Sequence, residues 1–69
     1  MVEVEKRLGK VIRKLREEKG FSQEAFADHA GIDRSYQGRV ERGEVSITVR
    51  MLETLAQALG LKVSELMTK

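Results

Sequence analysis

The sequence has no cysteine and no proline, and it contains a single histidine, His29. Without cysteine the chain can form neither disulfides nor thiolate metal sites, and one histidine cannot build a histidine metal site by itself. We therefore expect no metal and no cofactor. No pocket signature for a small-molecule ligand is visible, and neither is a nucleophile–base set or a phosphate loop, so the sequence does not predict an enzyme.

Long apolar runs are also missing. No stretch approaches the roughly 20 apolar residues that span a bilayer, and residues 1–5 lack the basic start and apolar stretch of a signal peptide. We therefore expect a cytoplasmic protein without a membrane partner. The sequence shows no useful alternating apolar pattern, no internal repeat and no low-complexity linker. An all-α fold is the class that remains.

The length of 69 residues allows one domain, spanning residues 1–69. A chain this short buries only about 60% of its unfolded surface, so its core must be economical or shared with a partner. The net charge is only +2, but residues 6–16 hold a block of basic residues without an acid. This block either solvates the outside of the first helix or contacts a ligand. Its members are Lys6, Arg7, Lys10, Arg13, Lys14 and Arg16.

Apolar spacing and capping residues predict five helices. Gly20 ends the first helix, and Ser22, Asp33 and Thr48 are N-caps of the second, third and fourth. A short fifth helix follows Gly60. The predicted helices span residues 3–19, 23–30, 34–42, 49–59 and 63–67.

Helices 2 and 3 are predicted to form a helix-turn-helix corner over residues 23–42. Gly31 occupies the turn, because a residue without a Cβ adopts positive φ cheaply. Ala27 is small enough for the two helices to meet, while Ile32 and Val40 fill the space between them. A rigid corner of this kind can push its second helix into a major groove about 12 Å wide.

The chain resembles the lambda-repressor-like helix-turn-helix family from about Leu8 to Met67. The resemblance implies a compact five-helix domain that binds double-stranded DNA. It also implies that Glu41 pairs with Arg16, which ties the third helix to the first. The motifs that carry it are Arg16, Ser22-Gln23-Glu24-Ala25-Phe26-Ala27, Gly31-Ile32-Asp33, Val40-Glu41-Arg42-Gly43 and Leu55-Ala56-Gln57-Ala58-Leu59-Gly60.

Two of these motifs are also similar to the controller proteins of restriction–modification systems. They are the run Asp33-Arg34-Ser35-Tyr36 and the run Val40-Glu41-Arg42-Gly43-Glu44. Short phage repressors and antitoxin-like regulators share the scaffold, so the resemblance leaves the subgroup open.

Four polar residues of helix 3 are the candidates for reading DNA bases. Near the helix start, Arg34 can donate two hydrogen bonds to a guanine, or else contact a phosphate or solvent. Ser35 either touches a base edge or caps locally, and Arg39 contacts a base or a phosphate. Gln37 stands where the family usually has an aliphatic residue. It either pairs with adenine or sits half-buried and weakens helix packing, and we expect partial exposure.

A second set of residues is predicted to contact phosphates, which sets register without reading sequence. By resemblance, Gln23 lies at the start of helix 2, where the helix dipole favours an anion. Tyr36 either donates its hydroxyl to a phosphate or serves only in the core. Gly38 costs about 1 kcal/mol relative to alanine in a helix, so it either permits a close approach or is a tolerated surface glycine. The remaining phosphate candidates are Arg42, Ser46 and Thr48.

The sequence therefore predicts a sequence-specific DNA-binding transcriptional regulator that acts as a homodimer on a palindromic operator. With no residues after Lys69 to supply another domain, we expect the last segment to form the dimer interface. The alternative is a protein-interaction module, for example antitoxin-like, on the same scaffold, although the arginines of helix 3 argue against it. The predicted interface residues are Leu61, Val63, Leu66 and Met67.

Overall fold

The computed structural model describes residues 2–69, and the side chains of residues 3–69. Met1, the first residue of the stretch inspected for a signal peptide, lies outside the described residues. The predicted all-α class is confirmed: the described chain holds five α-helices and no strand. No helix among them is long and apolar enough to cross a bilayer. The helices are α1 (Val2–Glu18), α2 (Gln23–Ala30), α3 (Arg34–Arg42), α4 (Val49–Ala58) and α5 (Val63–Met67).

Side-chain caps set the starts of α2, α3 and α4, as the sequence predicts. The Ser22 hydroxyl accepts the Ala25 N–H at 3.0 Å. The Asp33 carboxylate accepts the Ser35 N–H at 2.7 Å, and Thr48 Oγ1 accepts the N–H of the residue three positions later at 3.1 Å. Each cap satisfies a backbone donor that the first helical turn leaves unpaired.

The turn between α2 and α3 uses the left-handed conformation of Gly31, whose φ is +74°. After this turn the N–H of Ile32 donates back to the carbonyl of Ala27 at 2.9 Å, which closes the end of α2. Ala27 is fully buried, so the small side chain expected at the helix crossing is present. These local choices fix the chain reversal of the helix-turn-helix corner.

A second tight crossing joins α1 to α3 at Gly9, which the sequence analysis does not identify. A Cβ built on Gly9 would lie 2.5 Å from the Val40 carbonyl oxygen and 2.7 Å from the Glu41 carbonyl oxygen. Only a residue without a Cβ allows the two backbones to approach so closely. The third helix is therefore held from two sides, by α2 and by α1.

All five helices contribute to one hydrophobic core. Phe26 is fully buried and meets Phe21 edge to face, with ring centroids 5.6 Å apart. This contact is the hydrophobic staple that their spacing permits. The core residues are Ile12, Phe26, Val40, Leu55, Ala56, Leu59 and Leu66.

The four residues predicted for a dimer interface differ in their exposure. Leu66 is 1% exposed and belongs to the core, so its assignment to an interface is wrong: the short α5 needs this side chain to attach itself to the domain. Met67 is exposed and lines a depression with Val4 of α1. Leu61 and Val63 are half-buried and line a different depression, against α4.

Candidate nucleic-acid interface

A buried ion pair between Arg16 of α1 and Glu41 of α3 anchors the third helix. Arg16 donates through Nε to Glu41 Oε2 at 2.6 Å and through Nη2 to Glu41 Oε1 at 2.9 Å. Its remaining terminal nitrogen, Nη1, donates to the Phe21 carbonyl at 2.8 Å. The two residues are only 7% and 8% exposed. The pair that the resemblance implies is thus present, with every nitrogen of the guanidinium in use.

Two glutamines complete the surroundings of the Glu41 carboxylate. Gln23 of α2 donates to Oε1 at 3.1 Å, and Gln37 of α3 donates to Oε2 at 2.7 Å. Burial raises the pKa of Glu41, but the hydrogen bonds from Arg16 and the two glutamines outweigh this effect and hold the pKa below its usual value. We call these four residues, from three helices, the Glu41 cluster.

The partial exposure expected for Gln37 is wrong. Its side chain is fully buried, and its amide donates to Glu41. It cannot pair with an adenine from this position, so it leaves the set of base-contact candidates. This burial could have been predicted, because Gln37 and Glu41 are four residues apart and share a helix face. The resemblance already pairs Glu41 with Arg16 of α1. The Oε1 atom of Gln37 is buried without a hydrogen-bond partner among the described residues.

Arg34 lies on the outside of the corner, where it is paired with Asp28 of α2. Its Nε donates to Asp28 Oδ1 at 3.2 Å and its Nη2 to Oδ2 at 2.8 Å. The two side chains are 61% and 58% exposed. The Arg34 hydrogen bond holds the pKa of Asp28 below its usual value. Sequence reasoning missed Asp28, because only the folded corner brings together two residues on either side of the turn.

The next exposed arginine, Arg39, lies above the ring of Tyr36, with its guanidinium carbon 5.9 Å from the ring centroid. Tyr36 itself is half-buried. Ser35 is exposed, and its hydroxyl donates to Asp33 at 2.6 Å, so of its two predicted roles the structure shows the local one. Arg34 and Arg39 are therefore the candidates for base reading whose long side chains reach solvent.

Gly38 permits two predicted phosphate-contact residues to meet over α3. A Cβ at this position would lie 3.1 Å from Arg42 Nη1 and 3.4 Å from Gln23 Oε1. Gly38 is buried by these side chains, so the surface-glycine interpretation is wrong. Arg42 is itself held by Glu44, with Nε–Oε2 and Nη2–Oε1 distances of 2.9 and 3.2 Å.

The last two phosphate candidates are exposed but already bonded within the protein. The Ser46 hydroxyl donates to Glu5 Oε2 at 3.2 Å. Thr48 uses its oxygen as the cap of α4, which leaves its hydroxyl hydrogen as a donor. Within residues 2–69, no group of three histidine, aspartate or glutamate side chains could hold a metal ion.

The geometry is that of a rigid corner that carries exposed arginines on its second helix. Comparison with known proteins identifies the class to which it belongs. The family model described as Helix-turn-helix matches residues 12–66. The chain belongs to this helix-turn-helix family. The family consists of DNA-binding transcriptional regulators, which are not enzymes, and the protein is such a regulator.

Among individual proteins, the chain is similar to controllers of restriction–modification systems. Control protein C.MunI from Mycoplasma sp is 37% identical over 67 residues, which cover 96% of this chain and 90% of that protein. The crystal structure of the restriction–modification controller protein C.AhdI from Aeromonas hydrophila matches with a TM-score of 0.85 at 41% identity, covering 96% of this chain and 98% of that one.

A third relative has been solved together with DNA. The restriction–modification controller protein C.Esp1396I, as a tetramer in complex with its natural 35 base-pair operator, matches with a TM-score of 0.85 at 29% identity. The match covers 94% of this chain and 86% of that one.

Proposed function

We propose that the protein binds a two-fold symmetric operator as a homodimer, with α3 of each protomer in the major groove. The observation that carries this proposal is the orientation of α3. The Glu41 cluster and the Gly9 crossing hold one face of the helix against the domain, and Arg34, Arg39 and Arg42 remain exposed. Two copies of α3 in a dimer would lie about 34 Å apart, one turn of DNA.

Base reading falls to Arg34 and Arg39 in this proposal. A guanidinium near the start of a recognition helix reaches the groove floor and donates two hydrogen bonds to guanine O6 and N7. Arg39 lies one turn after Ser35, and its contact with Tyr36 limits its freedom. Ser35 contributes only as an acceptor, because its hydroxyl hydrogen is already donated to Asp33.

Phosphate binding falls to Gln23 and Arg42, which converge above Gly38. One amide hydrogen of Gln23 is used by Glu41, and the other remains for a phosphate oxygen. The Nη1 group of Arg42 is not used by Glu44. Tyr36 and Thr48 can each donate a hydroxyl hydrogen to a phosphate, whereas Ser46 must first release Glu5, which accepts its hydroxyl hydrogen. Together these five residues would set the register of the helix on the duplex.

Selection of binding sites from random duplex DNA by the purified protein tests the proposal. A symmetric consensus with half-sites about 10 base pairs apart, centre to centre, is the expected result. The logarithm of affinity should also fall steeply with the logarithm of salt concentration, because each neutralised phosphate releases counterions. No enrichment of any sequence, or a complex insensitive to salt, would instead favour the protein-interaction module.

The dimer interface is proposed at Leu61 and Val63. These neighbouring apolar side chains are partly exposed beside α4, whereas Met67 lies on the α1 side. We expect Val63→Glu to give monomers in sedimentation velocity, and Val49→Glu, a control at an apolar residue that is 74% exposed at the start of α4, to remain dimeric. Circular dichroism shows whether each variant is folded. A monomeric wild type, or the opposite pattern between the two variants, contradicts the assignment.

We also infer that the regulator controls restriction–modification genes. The support is the similarity to C.MunI and C.AhdI over nearly their full length. Run-off transcription from the promoter of a restriction–modification gene in the source genome, with and without the protein, measures this directly. A concentration-dependent change in transcript from that promoter is expected, and unchanged transcript at saturating protein would refute the inference.

A further inference from the structure

Asp28 is a charged residue of the corner to which the proposed function assigns no role. It lies on α2, yet its carboxylate binds the guanidinium of Arg34 on α3 through both oxygens. Both side chains are mostly exposed, and an exposed ion pair contributes little to folding stability. The pair therefore calls for an explanation on the DNA-binding side of the molecule.

The two edges of the Arg34 guanidinium are not equivalent. Asp28 occupies the side edge, formed by Nε and Nη2. The end edge consists of Nη1 and the second hydrogen of Nη2, and Nη1 donates no hydrogen bond within the described part of the chain. A guanidinium has five N–H donors in a rigid plane, so both edges can be used at once. A guanine needs two parallel donors, which the end edge offers.

We propose that Asp28 is a positioning residue for base reading: its carboxylate binds the side edge of Arg34 and thereby orients the end edge toward guanine O6 and N7. This inference rests on the proposed function. An arginine side chain that is already ordered loses less freedom when it binds, so the correct base gains affinity. Asp28 stays ionised at neutral pH, since its bond to Arg34 lowers its pKa.

The same carboxylate acts against DNA of the wrong sequence. Its negative charge faces the polyanion whatever the sequence, and only the guanine contact made by Arg34 offsets the repulsion. Specificity is a difference between two affinities, so a group that weakens all complexes but strengthens one raises discrimination. Asp28 should therefore lower non-specific binding and raise the ratio of operator to non-specific affinity.

Glu44 provides a matched control in the same chain. It holds Arg42 by the same side edge, with Nε–Oε2 and Nη2–Oε1 bonds, but Arg42 is assigned to phosphate, which every sequence presents. Removal of the Glu44 carboxylate should therefore raise affinity for all duplexes by similar factors. The two variants remove equal charge and differ in which arginine they release.

The experiment measures fluorescence anisotropy of Asp28→Ala, Asp28→Asn, Glu44→Ala and Arg34→Ala on three duplexes. These are the selected operator, the operator with the Arg34-contacted G·C pair changed to A·T, and a non-specific sequence. For Asp28→Ala we expect non-specific affinity to rise about twofold to threefold, and the preference for G·C over A·T to fall about threefold to fivefold. Asp28→Asn should fall between it and the wild type, and Glu44→Ala should leave the preference unchanged.

The outcomes separate this inference from the proposed function. If Arg34→Ala weakens the G·C preference but Asp28→Ala keeps it, or raises operator affinity as much as non-specific affinity, Asp28 is only a competitor for Arg34 and the inference is wrong. If the wild type binds no duplex, or Arg34→Ala leaves the preference unchanged, the proposed base reading fails and this inference with it. Thermal unfolding by circular dichroism confirms that each variant is folded.

Discussion

Three arginines of this domain are paired with carboxylates in the same way, one in the interior and two at the surface. Comparing them distinguishes an ion pair that stabilises the fold from pairs that we propose act in DNA binding. Arg16, Arg34 and Arg42 each bind a carboxylate through Nε and Nη2. In the interior, the Nη1 group of Arg16 also donates to the Phe21 carbonyl. At the surface, the corresponding groups of Arg34 and Arg42 are not used in this way.

The difference teaches that burial, not pairing geometry, decides what an ion pair does. A buried pair cannot lose one partner without leaving a charge in a medium of low dielectric constant. An exposed pair is screened and adds little stability, but it can order a side chain for a ligand. The Glu41 cluster therefore stabilises the corner, while the surface pairs lie on the face that we propose binds DNA.

The largest effect is expected from Glu41→Ala. The change leaves Arg16 buried and unpaired and removes the acceptor of Gln23 and Gln37, which should lower the free energy of unfolding by about 3–5 kcal/mol. A domain of this size has little more stability than that, so the variant should be largely unfolded by circular dichroism and urea titration.

Two controls sharpen the contrast between interior and surface. The double variant Arg16→Met with Glu41→Leu removes both charges and should recover part of the lost stability. Asp28→Ala, the equivalent deletion at the surface, should leave the midpoint of thermal unfolding within about 2 °C of the wild type. Equal losses of stability for Glu41→Ala and Asp28→Ala would contradict the distinction between the buried and the exposed ion pairs.

A smaller loss of stability is expected from Gly9→Ala. The added methyl group would approach the backbone carbonyl oxygens of α3 to 2.5 and 2.7 Å, and backbone atoms cannot move aside without shifting the helix. Overpacking of this kind costs about 1–3 kcal/mol in urea titration. A variant as stable as the wild type would mean that α1 does not fix the position of α3.

Arg34→Ala tests the surface side of the comparison. A bidentate contact to guanine contributes discrimination of about 10-fold to 100-fold between the correct and a wrong base pair. The variant should lose that discrimination at one base pair of each half-site in anisotropy titrations, while Gln23→Ala weakens binding to all sequences more evenly. Uniform weakening by Arg34→Ala would move this residue to the phosphate-contact set.

Acid should weaken the interior pair. Because the pKa of Glu41 is lowered in the folded protein, its contribution is fully present above the pKa of an unfolded glutamate, about 4.3. That contribution is lost as the pH falls through the lower folded value. Wild type should therefore exceed Glu41→Gln in unfolding free energy at pH 7, and the gap should narrow below about pH 4. A gap independent of pH would contradict the ionised state of Glu41.

The smallest effect is expected from Gly38→Ala. Here the new methyl group would meet side-chain atoms of Arg42 and Gln23 at 3.1 and 3.4 Å, which can move. Alanine also favours the helix by about 1 kcal/mol, so stability should be unchanged or slightly higher. DNA affinity should fall a few-fold on all sequences, because the two residues proposed to contact phosphates are displaced. An unchanged affinity would remove Gln23 and Arg42 from the phosphate site.

Local signals were sufficient to predict the helices. The caps Ser22 and Asp33 and the turn residue Gly31 act within a few residues of sequence, so the bounds of α2 and α3 match the predicted ones. Those of α5 also match, whereas α1 spans Val2–Glu18 and not the predicted 3–19. The fourth helix ends at Ala58, one residue early, because Leu59 serves as its C-cap.

Features that depend on how helices cross could not be predicted from local signals. The burial of Gln37 follows from its contact with Glu41, a carboxylate that Arg16 of α1 holds in the interior, so only the pair implied by the resemblance indicated it. The tight approach at Gly9 and the bond between Asp28 and Arg34 need the relative positions of two helices, which no spacing in the sequence supplies. The burial of Leu66 in the core, where the sequence predicts an interface, likewise depends on how α5 packs against the other helices.

We infer that the buried Arg16–Glu41 pair holds a corner whose surface residue Arg34 reads a guanine. The most direct test replaces each operator guanine in turn by 7-deazaguanine, which lacks the N7 acceptor, and measures binding of wild type and Arg34→Ala. We expect one position per half-site at which the wild type loses affinity and the variant loses none. Equal losses for both proteins at every position would contradict the claim.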